Sequence, residues 1–292
     1  MYKAIAANKR NTLLIMAVFV GIIAAIGYIV SAFYGDTSIG LWVLIGATIY
    51  ALVQYFAAGS LAVAMTGAQQ IEKKDNPRLY RVVENLSITL GLPMPKVYII
   101  QDAAPNAFAT GRDPKHAIVA ATTGLIDIMD DRELTAVMAH EMGHVQNYDI
   151  RVSMIAFGLV SAIGILSDIV LRMLFFGGDN RNSNSNPFVL IVGVIVIILA
   201  PIVAAIVQMA ISRQREYLAD ATGALTTRDS EAMANALEKL QKFGKPMQKQ
   251  QSATAQLFIS NPLKPGFFSK LFSSHPPLED RIKRLRDNAA KF

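Results

Sequence analysis

The sequence of 292 residues contains no cysteine. Disulfide frameworks and thiolate metal sites are therefore excluded, and any metal would have to be held by imidazole and carboxylate. Charge is scarce as well: Asp, Glu, Lys and Arg make up 17% of the chain, against about 25% in an ordinary soluble domain. The basic surplus is small, 28 Lys and Arg against 22 acidic residues. It is gathered into no basic block and shows little interleaving with aromatics, which argues against nucleic acid as a partner. Histidine is rarer still, with four in all, so two that fall close together carry information. What the chain has in excess is apolar residues, 52% of the total with a mean hydropathy of +0.35. That balance places it among membrane proteins.

Four stretches are long and apolar enough to cross a bilayer core, which takes roughly 20 helical residues. They are Leu13 to Phe33, Leu41 to Met65, Val152 to Phe176 and Phe188 to Ile211. The first is too long for a signal-peptide core and reads as a retained anchor. The third carries Asp168 and Arg172, one helical turn apart; such a pair is costly in lipid and points to a partly peripheral or protein-facing helix. Lys3, Lys9 and Arg10 precede the first span, Lys73, Lys74 and Arg78 follow the second, and Arg213 and Arg215 follow the fourth. The two hairpin tips are nearly free of positive charge. By the positive-inside rule both termini, and the segment between the second and third spans, face the cytoplasm. The chain thus divides into an apolar hairpin at 1–65, a soluble part at 66–151, a second apolar hairpin at 152–211 and a second soluble part at 212–292.

The first soluble part opens with a helical pattern from Pro77 to Leu90, started by proline and stopped by Gly91. Short β-rich runs follow at Lys96 to Ile100, Ala107 to Thr110 and Ala117 to Thr122, predicting a small sheet. In the second soluble part, helices near Arg213 to Leu225 and Ser230 to Lys242 precede a Gln-, Ser-, Pro- and Phe-rich loop from Lys245 to Ser274. Phe258, Phe267, Phe268 and Phe272 in that loop read as packing residues. His116, in a turn, reads as solvated.

One helix carries chemistry. Asp130 or Asp131 caps it, Glu133 is placed to complete a capping box, and His140-Glu141-Met142-Gly143-His144 follow. At about 100° per residue, Leu134, Val137, Met138, Met142 and Val145 form an apolar arc that also contains Glu141. His140 and His144 project together at its edge. A carboxylate on a buried face needs a cation or a catalytic task, and a metal between two imidazoles supplies both. In such an H-E-x-x-H arrangement the histidines bind zinc and the glutamate takes a proton from water.

A catalytic zinc site needs a third protein ligand. Glu216 and Asp220, four apart on the helix from Arg213, offer a ligand and an acceptor for an imidazole N–H. The same spacing also suits the polar face of a solvated helix, and Asp149 is an alternative ligand. A hairpin of spans three and four favours Glu216, because it brings the two helices to one membrane face.

Ala139 to His144 with Asp149, Ser212 to Asp220, and Ser274-His275-Pro276-Pro277 with Arg281 together resemble the HtpX-type membrane metallopeptidases, relatives of the eukaryotic prenyl-protein endopeptidases. The likeness extends over almost the whole chain; Met142 stands where the family more often has Leu, a conservative change on the apolar arc. It implies an integral membrane endopeptidase of the gluzincin group, mainly α, with a cytoplasmic α+β zincin-like domain built from 66–151 and 212–292. One Zn²⁺ per chain would be held by His140, His144 and Glu216, with Glu141 as general base and Asp220 and Asp149 supporting the ligands. By the same resemblance His275 and Arg281 lie near the scissile carbonyl, where a cation stabilises the oxyanion. Asn106-Ala107-Phe108-Ala109 resembles a family edge strand along which substrate lies, which fits β-augmentation by an extended peptide. An ordinary edge strand would read the same. The expected role is proteolysis of misfolded or membrane polypeptides at the cell membrane under stress. A non-hydrolytic scaffold would have no use for Glu141, and a metal transporter would need more than Asp168 within its spans.

Overall fold

The computed structural model describes residues 2–158, 213–249, 252–263 and 276–289. Helix α1, Tyr2–Tyr34, starts well before the apolar run, so that Lys3, Lys9 and Arg10 lie on the helix itself. Helix α2, Thr37–Thr66, is capped by Asp36, whose carboxylate accepts from the Ser38 N–H, and is closed by Gly67 in the left-handed region at φ 70°. Both helices are long and apolar enough to cross a membrane. They pack closely: a Cβ on Gly27 would lie 2.7 Å from Val43 Cβ. Their outer faces leave Leu13, Leu14, Trp42, Ile49, Leu52 and Phe56 exposed, the pattern of a lipid-facing surface.

Helix α3, Pro77–Leu90, has the expected ends, with Asn76 capping the Leu79 N–H and Gly91 at φ 62°. A mixed sheet follows. Strands β1 (Gln69–Gln70), β2 (Lys96–Ile100), β3 (Ala107–Thr110) and β4 (Ile118–Thr122) are ordered β1-β2-β4-β3. β2 runs parallel to β4, and β3 antiparallel to it. Alternate strand residues face opposite layers. Val97, Ile99, Val119, Ala121, Ala107 and Ala109 point into a core shared with α3 and with α5, Asp131–Gln146. Ile100, Ala120 and Phe108 point into a second core, formed with Ile15 and Phe19 of α1 and Ala58 and Ala62 of α2. The α1–α2 hairpin is thus packed directly on the sheet. Between β4 and α5 lies the short helix α4, Thr123–Ile128.

After α5 the chain continues as helix α6 over 149–158. Its described part faces protein, in keeping with the expectation for the third segment: Val152, Met154, Ile155, Ala156 and Phe157 are all buried in the second core. The remainder of that segment, including Asp168 and Arg172, and the whole fourth segment lie outside the described residues. Helices α7 (Arg213–Thr227), α8 (Ser230–Phe243) and α9 (Leu278–Asp287) follow. The late segment is not a plain loop where it is described. Ser252–Ala255 forms a helical turn and Phe258 bridges to Phe108 of β3, their rings 5.2 Å apart edge to face. Phe258 therefore packs in the core as expected; Phe267, Phe268 and Phe272 lie outside the described residues.

Candidate active site

The local sequence builds α5 firmly. Asp130 accepts from the Glu133 N–H at 2.9 Å and Glu133 accepts from the Asp130 N–H at 2.8 Å, a complete capping box. Lys239 of α8 then pairs with Glu133 at 2.6 Å. With its start fixed, the helix turns Leu134, Val137, Met138, Met142 and Val145 into the core and carries His140, Glu141 and His144 to the facing helix α7. Two glycines allow the approach. A Cβ on Gly223 of α7 would stand 3.1 Å from the His140 backbone nitrogen, and one on Gly143 would stand 3.4 Å from Thr222 Cβ.

That closeness puts Glu216, in the first turn of α7, against both histidines. His140 Nε2 and His144 Nε2 are 3.2 Å apart. Glu216 Oε2 lies 3.7 Å from His140 Nε2, and Oε1 lies 3.6 Å from His144 Nε2. A tetrahedral ion with bonds of about 2.0–2.1 Å would separate its ligands by roughly 3.3–3.4 Å. Two imidazole nitrogens that face each other cannot both present lone pairs comfortably without a cation between them. Spacing and donor chemistry therefore fit a metal ion.

Each imidazole is held from behind. His140 Nδ1 lies 2.9 Å from Asp220 Oδ1, and His144 Nδ1 lies 3.1 Å from Asp149 Oδ2. These contacts fix both rings with Nε2 turned to the metal position. Electrostatics divide the two rings. Burial, joined by the charges of Arg281 and His144, pulls His140 down to about 4 against the pull of Asp220. Burial also opposes charge on His144, but the hydrogen bond to Asp149 and the charges of Glu216, Asp149 and Glu141 outweigh it and push it up to about 9. Asp220 is buried too, yet the charge and hydrogen bonds of Arg281, with those of His140, hold it down to about 2.

Glu141 is buried and lines the same pocket as His140, His144 and Glu216. Ile150, Leu257 and Ile259 supply apolar wall. Gln256 adds a side-chain amide whose Nε2 is buried without a hydrogen-bond partner among the described residues; nothing in the composition of the late segment singles it out.

The remaining sequence expectations fare differently. Arg281 does come to the site, but from the Nδ1 side of His140. It is fully buried, with Nε and Nη2 engaged by Asp220, and its Nη1 lies 3.6 Å from Glu216 Oε2. It is not among the residues lining the pocket with Glu141. His275 lies outside the described residues. The edge of β3 is already in use: Ala107 O accepts from the Ile259 N–H at 2.9 Å, while the Asn106 side chain donates to Ser260 O at 2.8 Å and accepts from its N–H at 3.2 Å. Of the four residues expected to meet substrate, only Ala109 lines the pocket. Asn8 of α1, which sequence reasoning missed, donates to Asp149.

Residues 73–289 match the model of peptidase family M48. A "Protease HtpX homolog" of Tropheryma whipplei (strain Twist) is 58% identical over 292 residues, covering all of both chains. Homologues with the same name from Streptococcus gordonii and Streptococcus pneumoniae (strain R6) are 41% and 44% identical, over 98% of this chain and 99% of theirs. The crystal structure of S. mikatae Ste24p shares the fold with a TM-score of 0.51 at 20% identity, over 98% of this chain and 67% of that one. With its histidine pair, buried glutamate and two apolar helices in place, this chain belongs to peptidase family M48, as a metallopeptidase of the HtpX membrane-protease type.

Proposed function

We propose that the protein is a membrane-anchored, zinc-dependent endopeptidase that cleaves misfolded or membrane polypeptides on the cytoplasmic side, as part of membrane protein quality control under stress. One observation carries the reading: ligand atoms of His140, His144 and Glu216 lie within 4.8 Å of one another in the pocket that Glu141 also lines. Two imidazoles and a carboxylate suit Zn²⁺, and leave a fourth position for water or substrate. The cytoplasmic placement rests on the Lys and Arg that flank the apolar segments.

A zinc ion held there supplies Lewis-acid polarisation of the peptide carbonyl and a water acidic enough to ionise near neutral pH. Glu141 takes the proton of the attacking water and returns it to the departing amine. Asp220 and Asp149 keep His140 and His144 in the tautomer that offers Nε2. Arg281 keeps Asp220 ionised and balances the charge of Glu216, acting through these residues and not by touching substrate. His275 is the group proposed to meet the oxyanion. An extended peptide would pass Ala109 and the wall of Leu257 and Ile259, where the apolar surface excludes water from the reacting bond.

The test uses full-length protein in detergent, stripped of metal and then titrated with Zn²⁺ while hydrolysis of an unfolded polypeptide is followed. Loss on stripping, and recovery as about one ion binds per chain, supports the proposal. Undiminished hydrolysis by the stripped protein would overturn it.

A further inference from the structure

Helix α1 reaches the metal centre. Asn8, two turns into the helix, is 5% exposed. Its Nδ2 donates to Asp149 Oδ1 at 2.7 Å and to the Asn147 carbonyl at 2.9 Å. The other oxygen of Asp149 meets His144 Nδ1 at 3.1 Å. An unbroken line therefore runs from an amino-terminal helix, through contacts 139 and 141 positions apart in sequence, to the imidazole of His144.

The surroundings make this line rigid. Thr12 Oγ1, one turn further along α1, donates to the Asn8 carbonyl at 2.9 Å and leaves the Asn8 amide to Asp149 and Asn147. Lys9 Nζ sits 4.5 Å from the centre of the Tyr148 ring. Tyr148 itself has φ 62°, a left-handed backbone that a bulky residue adopts only when its surroundings hold it there. The turn 147–149 is thus fixed by Asn8 at its carbonyl and at Asp149, and by Lys9 at its ring. Asp149 needs such support. It is buried, and among the described residues its Oδ1 otherwise has only Arg215 Nε, at 3.6 Å, too long for a hydrogen bond. Without the amide, Oδ1 would be left unsatisfied and the carboxylate free to rotate away from His144.

We infer that Asn8 is a positioning residue for the metal centre: α1 completes the support of His144, so that the site reaches full affinity only when this helix is docked on the catalytic half. The inference rests on the zinc reading above. It also implies that a fragment lacking α1, although it holds all three ligands and Glu141, would bind metal more weakly than the whole chain.

The test is a zinc dissociation constant, measured by chelator competition on full-length protein in detergent, together with the melting temperature of the metal-free form. Asn8→Leu, close in volume but without the donor, is expected to weaken zinc binding about tenfold, the lower end of the range for residues that orient a ligand. Thr12→Val, which removes a neighbouring bond of the same helix, is expected to leave zinc affinity unchanged. In an Asp149→Asn background the further change Asn8→Leu should cost little, because the line is already cut. Should Asn8→Leu give no folded protein, Asn8→Asp is read in its place; two facing carboxylates should then weaken binding by at least as much. Zinc affinity within twofold of wild type, a lower melting temperature alone, or an equal loss in both backgrounds would overturn the inference. Absence of zinc binding by the wild type would instead refute the metal reading on which it stands.

Discussion

Arg281 grips Asp220 with two hydrogen bonds, Nε to Oδ2 at 2.8 Å and Nη2 to Oδ1 at 2.6 Å, in a place where neither side chain is more than 5% exposed. A paired fork of this kind is among the strongest side-chain contacts available. It ties helix α9, the last described helix of the chain, to α7 and through His140 to α5.

Arg281→Ala should therefore do more than slow turnover. Removing one partner of a buried ion pair leaves the other charge uncompensated, at a cost of about 3–5 kcal/mol. The melting temperature of the metal-free protein should fall, and zinc affinity with it. Arg281→Lys should recover little of either, since an ammonium cannot match the fork. Denaturation of the two variants alongside wild type checks both points.

Glu216→Ala is expected to lose bound zinc and activity together, because two imidazoles alone leave the ion short of a ligand. Asp220→Ala should retain a weakened site, with affinity lower by about 10–100-fold. Metal analysis after dialysis separates the two. Unchanged zinc in Glu216→Ala would move the third ligand elsewhere, with Asp149 first in line.

Gly223 tests the helix approach without altering any ligand side chain. A Cβ there meets the His140 backbone at 3.1 Å, so Gly223→Val must push α7 off α5, at about 1–3 kcal/mol of overpacking. Zinc affinity should fall because Glu216 is carried away with the helix. Chelator competition reads the effect; affinity equal to wild type would show that α7 does not need this close contact.

Topology can be read cleanly because the chain has no cysteine. A thiol introduced as Lys74→Cys, whose side chain is 78% exposed, should resist an impermeant reagent in intact cells, while Thr37→Cys at the start of α2 should react. The reverse pattern would invert the orientation drawn from the Lys and Arg flanks.

The parts of this molecule that local signals encode could be read from the sequence. Pro77 and Gly91 mark the ends of α3, Asp130 with Glu133 marks the start of α5, and four-residue spacing puts His140 and His144 on one face. Glu216 needed more, since its pairing with α5 depends on Gly143 and Gly223 letting two helices touch. The contacts of Arg281 and Asn8 were not legible. They join residues 61 and 141 positions apart, and Asn8 stands next to Lys9 and Arg10, where it looks like part of a polar flank. The edge of β3 was legible only in part for a related reason. Alternation identifies a strand, but not that the Ile259 N–H of the same chain has taken the Ala107 carbonyl and Ser260 the Asn106 side chain.

The central claim is that Glu141 is the base of a zinc-dependent hydrolysis, and Glu141→Gln tests it most directly. The amide is nearly isosteric, so zinc should remain bound at the wild-type level while the proton can no longer be taken from water. Cleavage of an unfolded polypeptide by the zinc-loaded variant should fall by about 10²–10⁴-fold, the usual worth of a positioned general base. Turnover within a few-fold of wild type, with zinc still bound, would contradict the account.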